Sequence, residues 1–164
     1  MSESLLVGMA EAKVTTSAGG VLVALGLGSC IGVCLYDPYV KVAGMAHVVL
    51  PNSAGHEASI GKFADTAVPL LLDMMKKHGA IQTRIRAAIA GGAQLFAFNG
   101  SGPRLEIGPR NATAVQEQLL SHRITIIASD VGGNTGRTVH LFADGQVLVK
   151  TIGQGERELT RMGN

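Results

Sequence analysis

Cys30 and His47 carry the chemistry most readily available to this chain, because one β-hairpin sets a thiol across from an imidazole. Ile31 to Tyr36 and Lys41 to His47 both read as extended segments, and Asp37-Pro38 opens a turn between them. Proline presets φ for a turn, and aspartate can bond its own backbone there. With Asp37 to Val40 as the loop, Tyr36 pairs with Lys41, and counting outward puts Cys30 opposite His47. Directly opposed residues hold their Cβ atoms roughly 4.5–5.5 Å apart on one face of the sheet. At that spacing an imidazole can take the proton of a thiol and leave a thiolate nucleophile. The expected pair lies on a face open to solvent. The other face carries Ile31, Val33 and Leu35 against Val42, Ala46 and Val48. A one-residue slip would turn that apolar set outward, so the alternation supports the pairing.

The surroundings of Cys30 favour close approach of a substrate. Gly26, Gly28 and Gly32 strip side chains from the nearby backbone, and glycine is the residue that admits such an approach. The turn through Gly28, Ser29 and Cys30 can aim backbone N–H groups at an oxyanion. Cys34 shares the face of Cys30 but stands across from Ala43, which makes it a packing residue. A bland alternative stands beside this reading, since buried cysteines and half-buried strand histidines are frequent structural residues. His56, His78, His122 and His140 are scattered without metal-ligand spacing, so no metal site and no cofactor is expected. Gly26-x-Gly28 lacks the third glycine of a dinucleotide fingerprint and leads into a strand. Gly91-Gly92 and Gly132-Gly133 lack the Lys-Ser/Thr of a phosphate loop and read as tight turns.

Size and charge narrow the classes further. A chain of 164 residues suits one domain with a real core. The net charge of +2, the 4% aromatic content and the lack of any basic run argue against a nucleic-acid partner. Two cysteines four apart on one strand sit roughly 13 Å apart, too far to be bridged. Reduced thiols point to the cytosol. The apolar run Val21 to Tyr36 is 16 residues long and broken by glycine. A membrane helix needs about 20 predominantly apolar residues, so no membrane insertion is expected. The N-terminal Met1-Ser-Glu-Ser lacks the basic flank and apolar core of a signal peptide, and the expected location is cytoplasmic.

The elements that must position the pair can be read in order. Leu5 to Thr15 predicts an early strand, and Gly19-Gly20 a turn before a strand over Val21 to Leu27. The hairpin ends at Pro51, and Asn52 to Gly61 is polar loop. Asp65 to His78 predicts a helix, with Asp65 or Thr66 as its cap, Val68, Leu71, Leu72 and Met75 on its buried side, and Gly79 as its stop. Pro69 is tolerable near the first turn of that helix and disruptive farther in. Ile85, Ala87 and Ile89 alternate as a strand, and Asn99-Gly100 marks a turn. Pro109 opens a second helix with Val115, Leu119 and Leu120 inward, ending near His122. A strand through Ile124, Ile126 and Ala128 follows, then a hairpin around Ala143-Asp144-Gly145. Many strands and two principal helices, without regular βαβ alternation, predict an α+β fold. We expect a single-domain layered sandwich of mostly antiparallel or mixed sheet.

Six ordered blocks then carry a resemblance. They are Leu25-Gly-Leu-Gly-Ser-Cys30, Gly44-Met-Ala-His47 with Leu50-Pro51, Ala64-Asp-Thr-Ala67, Gly91-Gly-Ala-Gln94, Gly108-Pro-Arg-Asn111 and Asp130-Val-Gly-Gly-Asn-Thr-Gly-Arg137. In that order the chain resembles the CheD family, the chemoreceptor glutamine deamidases of bacterial chemotaxis. The resemblance spans about residues 5–151 of a single domain over 1–164, with 152–164 as a C-terminal tail. It implies a cysteine nucleophile at Cys30 and a histidine base at His47, beside the Gly28 and Ser29 oxyanion and substrate approach read from the turn itself. It also implies a fold similar to the catalytic domains of certain deamidating toxins. The implied reaction is hydrolysis of glutamine side chains on methyl-accepting chemotaxis receptors. The implied partners are those receptors and a CheC-type phosphatase. The family usually carries a threonine six positions before the cysteine, where this chain has Ala24. Alanine has no hydrogen-bonding side chain; a main-chain carbonyl or a water can orient the histidine instead, and the alternative is weakened activity or a mainly binding role. The alternatives implied are a non-catalytic adaptor binding receptors and the phosphatase, or a receptor methylesterase acting through the same thioester.

Overall fold

The computed structural model describes residues 3–55, 59–94 and 106–163. The predicted turn at Asn99-Gly100 lies outside these residues. The chain begins with two short strands, β1 (Ser4–Leu6) and β2 (Ala12–Thr15), followed by β3 (Val21–Leu27), β4 (Ile31–Asp37) and β5 (Val42–Val48). Helix α1 (Ala64–Lys76), β6 (Arg86–Gly91), α2 (Ile107–Ser121) and β7 (Thr125–Val131) come next. A meander of β8 (Arg137–Phe142), β9 (Gln146–Thr151) and β10 (Gly155–Arg161) closes the fold. The strands form two mixed sheets, ordered β1-β3-β8-β9-β10 and β2-β5-β4-β6-β7. Pairing is antiparallel except for β1 with β3 and β6 with β7. The α+β sandwich expected from the sequence is what the chain forms.

Two cores follow from the period-2 alternation of β4 and β5. Ile31, Val33, Leu35, Val42, Ala46 and Val48 face the helices, where Val68, Leu71, Leu72, Met75, Val115 and Leu119 cover them. The alternate residues Cys30, Cys34, Tyr36, Ala43 and Met45 face the other sheet and meet Leu22, Ala24, Leu27, Val139 and Leu141. The layers are therefore sheet, sheet and helices. Among the described residues no helix is long and apolar enough to cross a membrane.

Several local expectations need correction. The early strand over Leu5 to Thr15 is two strands in different sheets, because Gly8 to Ala10 turn the chain and Ala10 adopts φ 66°. Neither Asp65 nor Thr66 caps α1, which starts at Ala64 without a side-chain cap. Asp65 instead accepts from Ser53 N at 2.9 Å and Ser53 Oγ at 2.8 Å, and Thr66 Oγ1 donates to the Ile60 carbonyl. Both side chains tie the preceding loop to the helix. Pro69 is the sixth residue of α1, beyond the first turn, and forgoes one backbone bond there. Gly79 ends the helix as expected, at φ 93°, and Ala80 N returns to the Met75 carbonyl. On α2, Val115 and Leu119 are buried, but Leu120 is 76% exposed because it lies one residue round the helix from that face. Residues 152–164 contain β10, an edge strand against β9, and the fully buried Met162.

Candidate active site

The hairpin brings Cys30 and His47 to one face of the sheet, in a register different from the one expected. Asp37 pairs with Val42 and Gly32 with His47, so the loop is Pro38 to Lys41 and β5 is displaced by two residues. Cys34 accordingly stands across from Met45, not Ala43. The cause is Asp37. Its fully buried carboxylate accepts from Tyr39 N, Ile81 N and Arg84 Nε, which holds the residue inside the strand. Lys41 closes the loop at φ 55°. A displacement of two residues preserves the face of every side chain. His47 therefore lies across from Gly32, and Cys30 is the next residue on that face, diagonal to His47. Diagonal neighbours are about 7–8 Å apart at Cα, less at Cβ, and a long side chain spans the gap. On the inter-sheet side of Gly32 the Leu27 side chain comes close, so that a Cβ there would lie 3.1 Å from Leu27 Cδ1.

The face is not open to solvent as expected. Cys30 is 9% exposed and His47 4%, because the β1 sheet packs over this side of the hairpin. Burial pushes the Cys30 thiol above its ordinary value, so the resting side chain is a thiol that needs a base. Cys34, deeper in the same core, is pushed up to about 12 by burial. Both cysteines are free.

His47 is clasped by the turn between β1 and β2. Its backbone N donates to the Glu11 carbonyl at 2.9 Å, and its carbonyl accepts from Ala10 N at 3.0 Å. Its ring Nδ1 lies 3.0 Å from the Val7 carbonyl. A carbonyl only accepts, so Nδ1 carries the proton of the neutral ring and Nε2 is left as the basic nitrogen. Ala24 is buried opposite Val139. The acceptor that orients the His47 ring is a main-chain carbonyl, that of Val7. No hydrogen bond joins Cys30 to His47 among the described residues.

The cysteine segment is held by its carbonyls. Gly28 O accepts from Ala93 N at 2.8 Å, Ser29 O from Asn111 Nδ2 at 2.9 Å, and Cys30 O from Gly92 N at 2.9 Å. Gly91, at φ 118°, passes so close that a Cβ there would lie 2.1 Å from the Cys30 carbonyl. Gly91 is the last residue of β6, paired with Ile31 and Val131, and Gly92 follows the strand, so the expected tight turn is a strand end whose glycines admit the Cys30 backbone. The loop after β7 supports the arrangement from outside. Gly132 N donates to Gly91 O and Gln94 N to Gly133 O. Arg137 knots that loop by bonding Asp130 O and Oδ1 and the carbonyls of Gly132 and Thr135. Arg157 brings a second guanidinium within 2.8 Å of the other Asp130 oxygen.

Asn111 is the residue whose part the sequence did not disclose. It is fully buried in the first turns of α2, and its Nδ2 donates to both Ser29 O and Val49 O at 2.9 Å. Its Oδ1 is buried without a partner, a loss of about 1–3 kcal/mol for an amide acceptor. Asn111 stood within a sequence block, but the two carbonyls it bridges are main-chain atoms without a side-chain signature.

A thiol and an imidazole with its proton already assigned, sharing one face of a hairpin, have the makings of a cysteine–histidine acyl-transfer site. Comparison with known proteins identifies the family. The family model described as CheD chemotactic sensory transduction matches residues 49–151. A probable chemoreceptor glutamine deamidase CheD of Syntrophomonas wolfei is 48% identical over 160 residues, covering 96% of this chain and 99% of that protein. The protein of the same name from Symbiobacterium thermophilum is 48% identical over 157 residues, covering 93% and 95%. A chemoreceptor glutamine deamidase CheD of Halalkalibacterium halodurans is 44% identical over 163 residues, covering 97% and 100%. The chain belongs to the CheD family.

Proposed function

We propose that this protein hydrolyses glutamine side-chain amides of chemoreceptors to glutamate, with Cys30 as nucleophile and His47 as base. The observation that carries the proposal is the bond from His47 Nδ1 to the Val7 carbonyl, which leaves Nε2 basic on the face that also bears Cys30. His47 Nε2 takes the proton from Cys30 Sγ, and the sulfur attacks the carboxamide carbon. The carbonyl π electrons move to oxygen, and backbone N–H groups of the Gly28 to Cys30 segment stabilise the charge there. With the carbonyls of that segment committed to Ala93, Asn111 and Gly92, its N–H groups are the backbone dipoles left for this role. The C–N bond breaks as His47 returns its proton to nitrogen, releasing ammonia and a thioester. Water, deprotonated by the same Nε2, attacks the thioester and frees glutamate and the thiol. The reaction needs neither a metal nor an organic cofactor. Its substrate is the cytoplasmic helices of the receptors, which places the protein in the cytoplasm.

Intact-mass analysis of a receptor cytoplasmic fragment tests the proposal. Each converted glutamine gains about 1 Da as NH2 is replaced by OH. Cys30→Ala is expected to yield no gain. Undiminished conversion by that variant contradicts the mechanism.

A further inference from the structure

We infer that Asn111 is a positioning residue that fixes the approach of His47 to Cys30. The inference rests on the proposed chemistry and adds to it a group that touches neither reacting atom. The two strands of the hairpin diverge from their last pair, Ile31 with Val48, so Ser29 and Val49 lie beyond the ladder. Asn111 reaches both, donating one N–H to the residue before Cys30 and the other to the second residue after His47. A planar NH2 group holds its two acceptors at a fixed angle and separation. The bridge thus takes over where the ladder ends and sets the spacing of the Cys30 and His47 backbones.

Two further observations point the same way. The Oδ1 atom of Asn111 is buried and unpartnered, so the position bears the cost of an unmet acceptor to keep its two N–H donors. The donor pair is what the asparagine adds. The helix that carries it is itself seated on the Cys30 support. A Cβ at Gly108 would lie 2.3 Å from the Ala93 carbonyl and 2.5 Å from that of Gly92, the two residues that bond Gly28 and Cys30.

The test is the dependence of Cys30 on His47, read as the rate of iodoacetamide alkylation at Cys30 in the full chain near neutral pH. In the native background, His47→Ala is expected to slow alkylation by about tenfold or more, because the base is lost. In an Asn111→Ala background the same change is expected to have an effect near unity, since the base no longer reaches the thiol. Turnover falls in Asn111→Ala with KM unchanged. A merely structural asparagine would lower the melting temperature and leave the His47 effect at its native size, which would overturn the inference. If Asn111→Ala does not fold, Asn111→Asp, which keeps the volume, is judged by the same ratio. If neither folds, Asn111 is a stability residue and the inference is withdrawn. If His47→Ala is already without effect in the native background, the proposed chemistry fails and the positioning role falls with it.

Discussion

The two ends of the β4–β5 hairpin solve opposite problems. At the turn end, Asp37 is fully buried and closes its carboxylate with Tyr39 N, Ile81 N and the Arg84 guanidinium. Burial alone would raise its pKa, but the N–H groups of Ile81 and Tyr39 and the Arg84 charge outweigh that and hold it below the ordinary carboxylate value. At the open end the backbone is equally well bonded, through Gly28, Ser29, Cys30, His47 and Val49. There the side chains are treated differently: the His47 ring is tied by one nitrogen, and the Cys30 thiol by no hydrogen bond among the described residues. Saturated polar groups make the turn end a source of stability. A fixed backbone under incompletely bonded side chains makes the other end suited to chemistry. Substitutions at the two ends should therefore separate stability from turnover.

The largest effect is expected at His47. Removing a general base costs about 10²–10⁴-fold in rate, so His47→Ala should lower turnover in that range. The loss of one carbonyl bond changes the denaturation midpoint far less than substitution at Asp37. Matching turnover in the variant and the parent would show that the open end works without its imidazole.

Asp37 should behave in the reverse way. Asp37→Ala leaves Arg84 and two N–H groups without their acceptor, a loss of about 2–4 kcal/mol once the partial exposure of Arg84 is allowed for. Denaturant unfolding measures it, and turnover of the folded fraction should stay near the parent value. The sign of the pH dependence follows from the lowered pKa. The stabilisation from Asp37 is present above the unfolded value of about 3.9 and is lost as pH falls through the lower folded value. Asp37→Asn should therefore flatten the loss of stability on acidification. An equally steep acid limb in that variant would move the effect to other carboxylates.

At Ala24 the effects on both turnover and stability are expected to be small. Because the Val7 carbonyl already holds Nδ1, Ala24→Thr should change turnover by less than about threefold, well under 1 kcal/mol of barrier. The added atoms enter a closed core and should lower stability by about 1–3 kcal/mol. A rise in turnover of tenfold or more would show that the main-chain acceptor orients His47 poorly.

The faces of the hairpin were legible because alternation has a period of two, and Ile31, Val33 and Leu35 must turn to one side. The register was not, because the groups that hold Asp37 in the strand come from Ile81 and Arg84, 44 and 47 residues away. Cys30 and His47 were found because their side chains are themselves the chemistry. The partners that fix them were hidden for the opposite reason. The Val7, Ser29 and Val49 carbonyls are backbone atoms common to every residue type, and their roles exist only once the strands are placed. Leu120 shows the same limit on a helix, where one step of rotation separates a buried leucine from an exposed one.

The account turns on a thioester at Cys30, and hydroxylamine intercepts a thioester directly. With a receptor fragment and hydroxylamine in the buffer, the acyl group passes from sulfur to the new nitrogen, and the modified glutamine becomes a hydroxamate about 16 Da heavier. The account predicts that hydroxamate appears at the same glutamines that are otherwise deamidated, that it grows at the expense of glutamate, that Cys34→Ala still forms it and that Cys30→Ala does not. Deamidation that proceeds without any hydroxamate, or that survives Cys30→Ala, would contradict it.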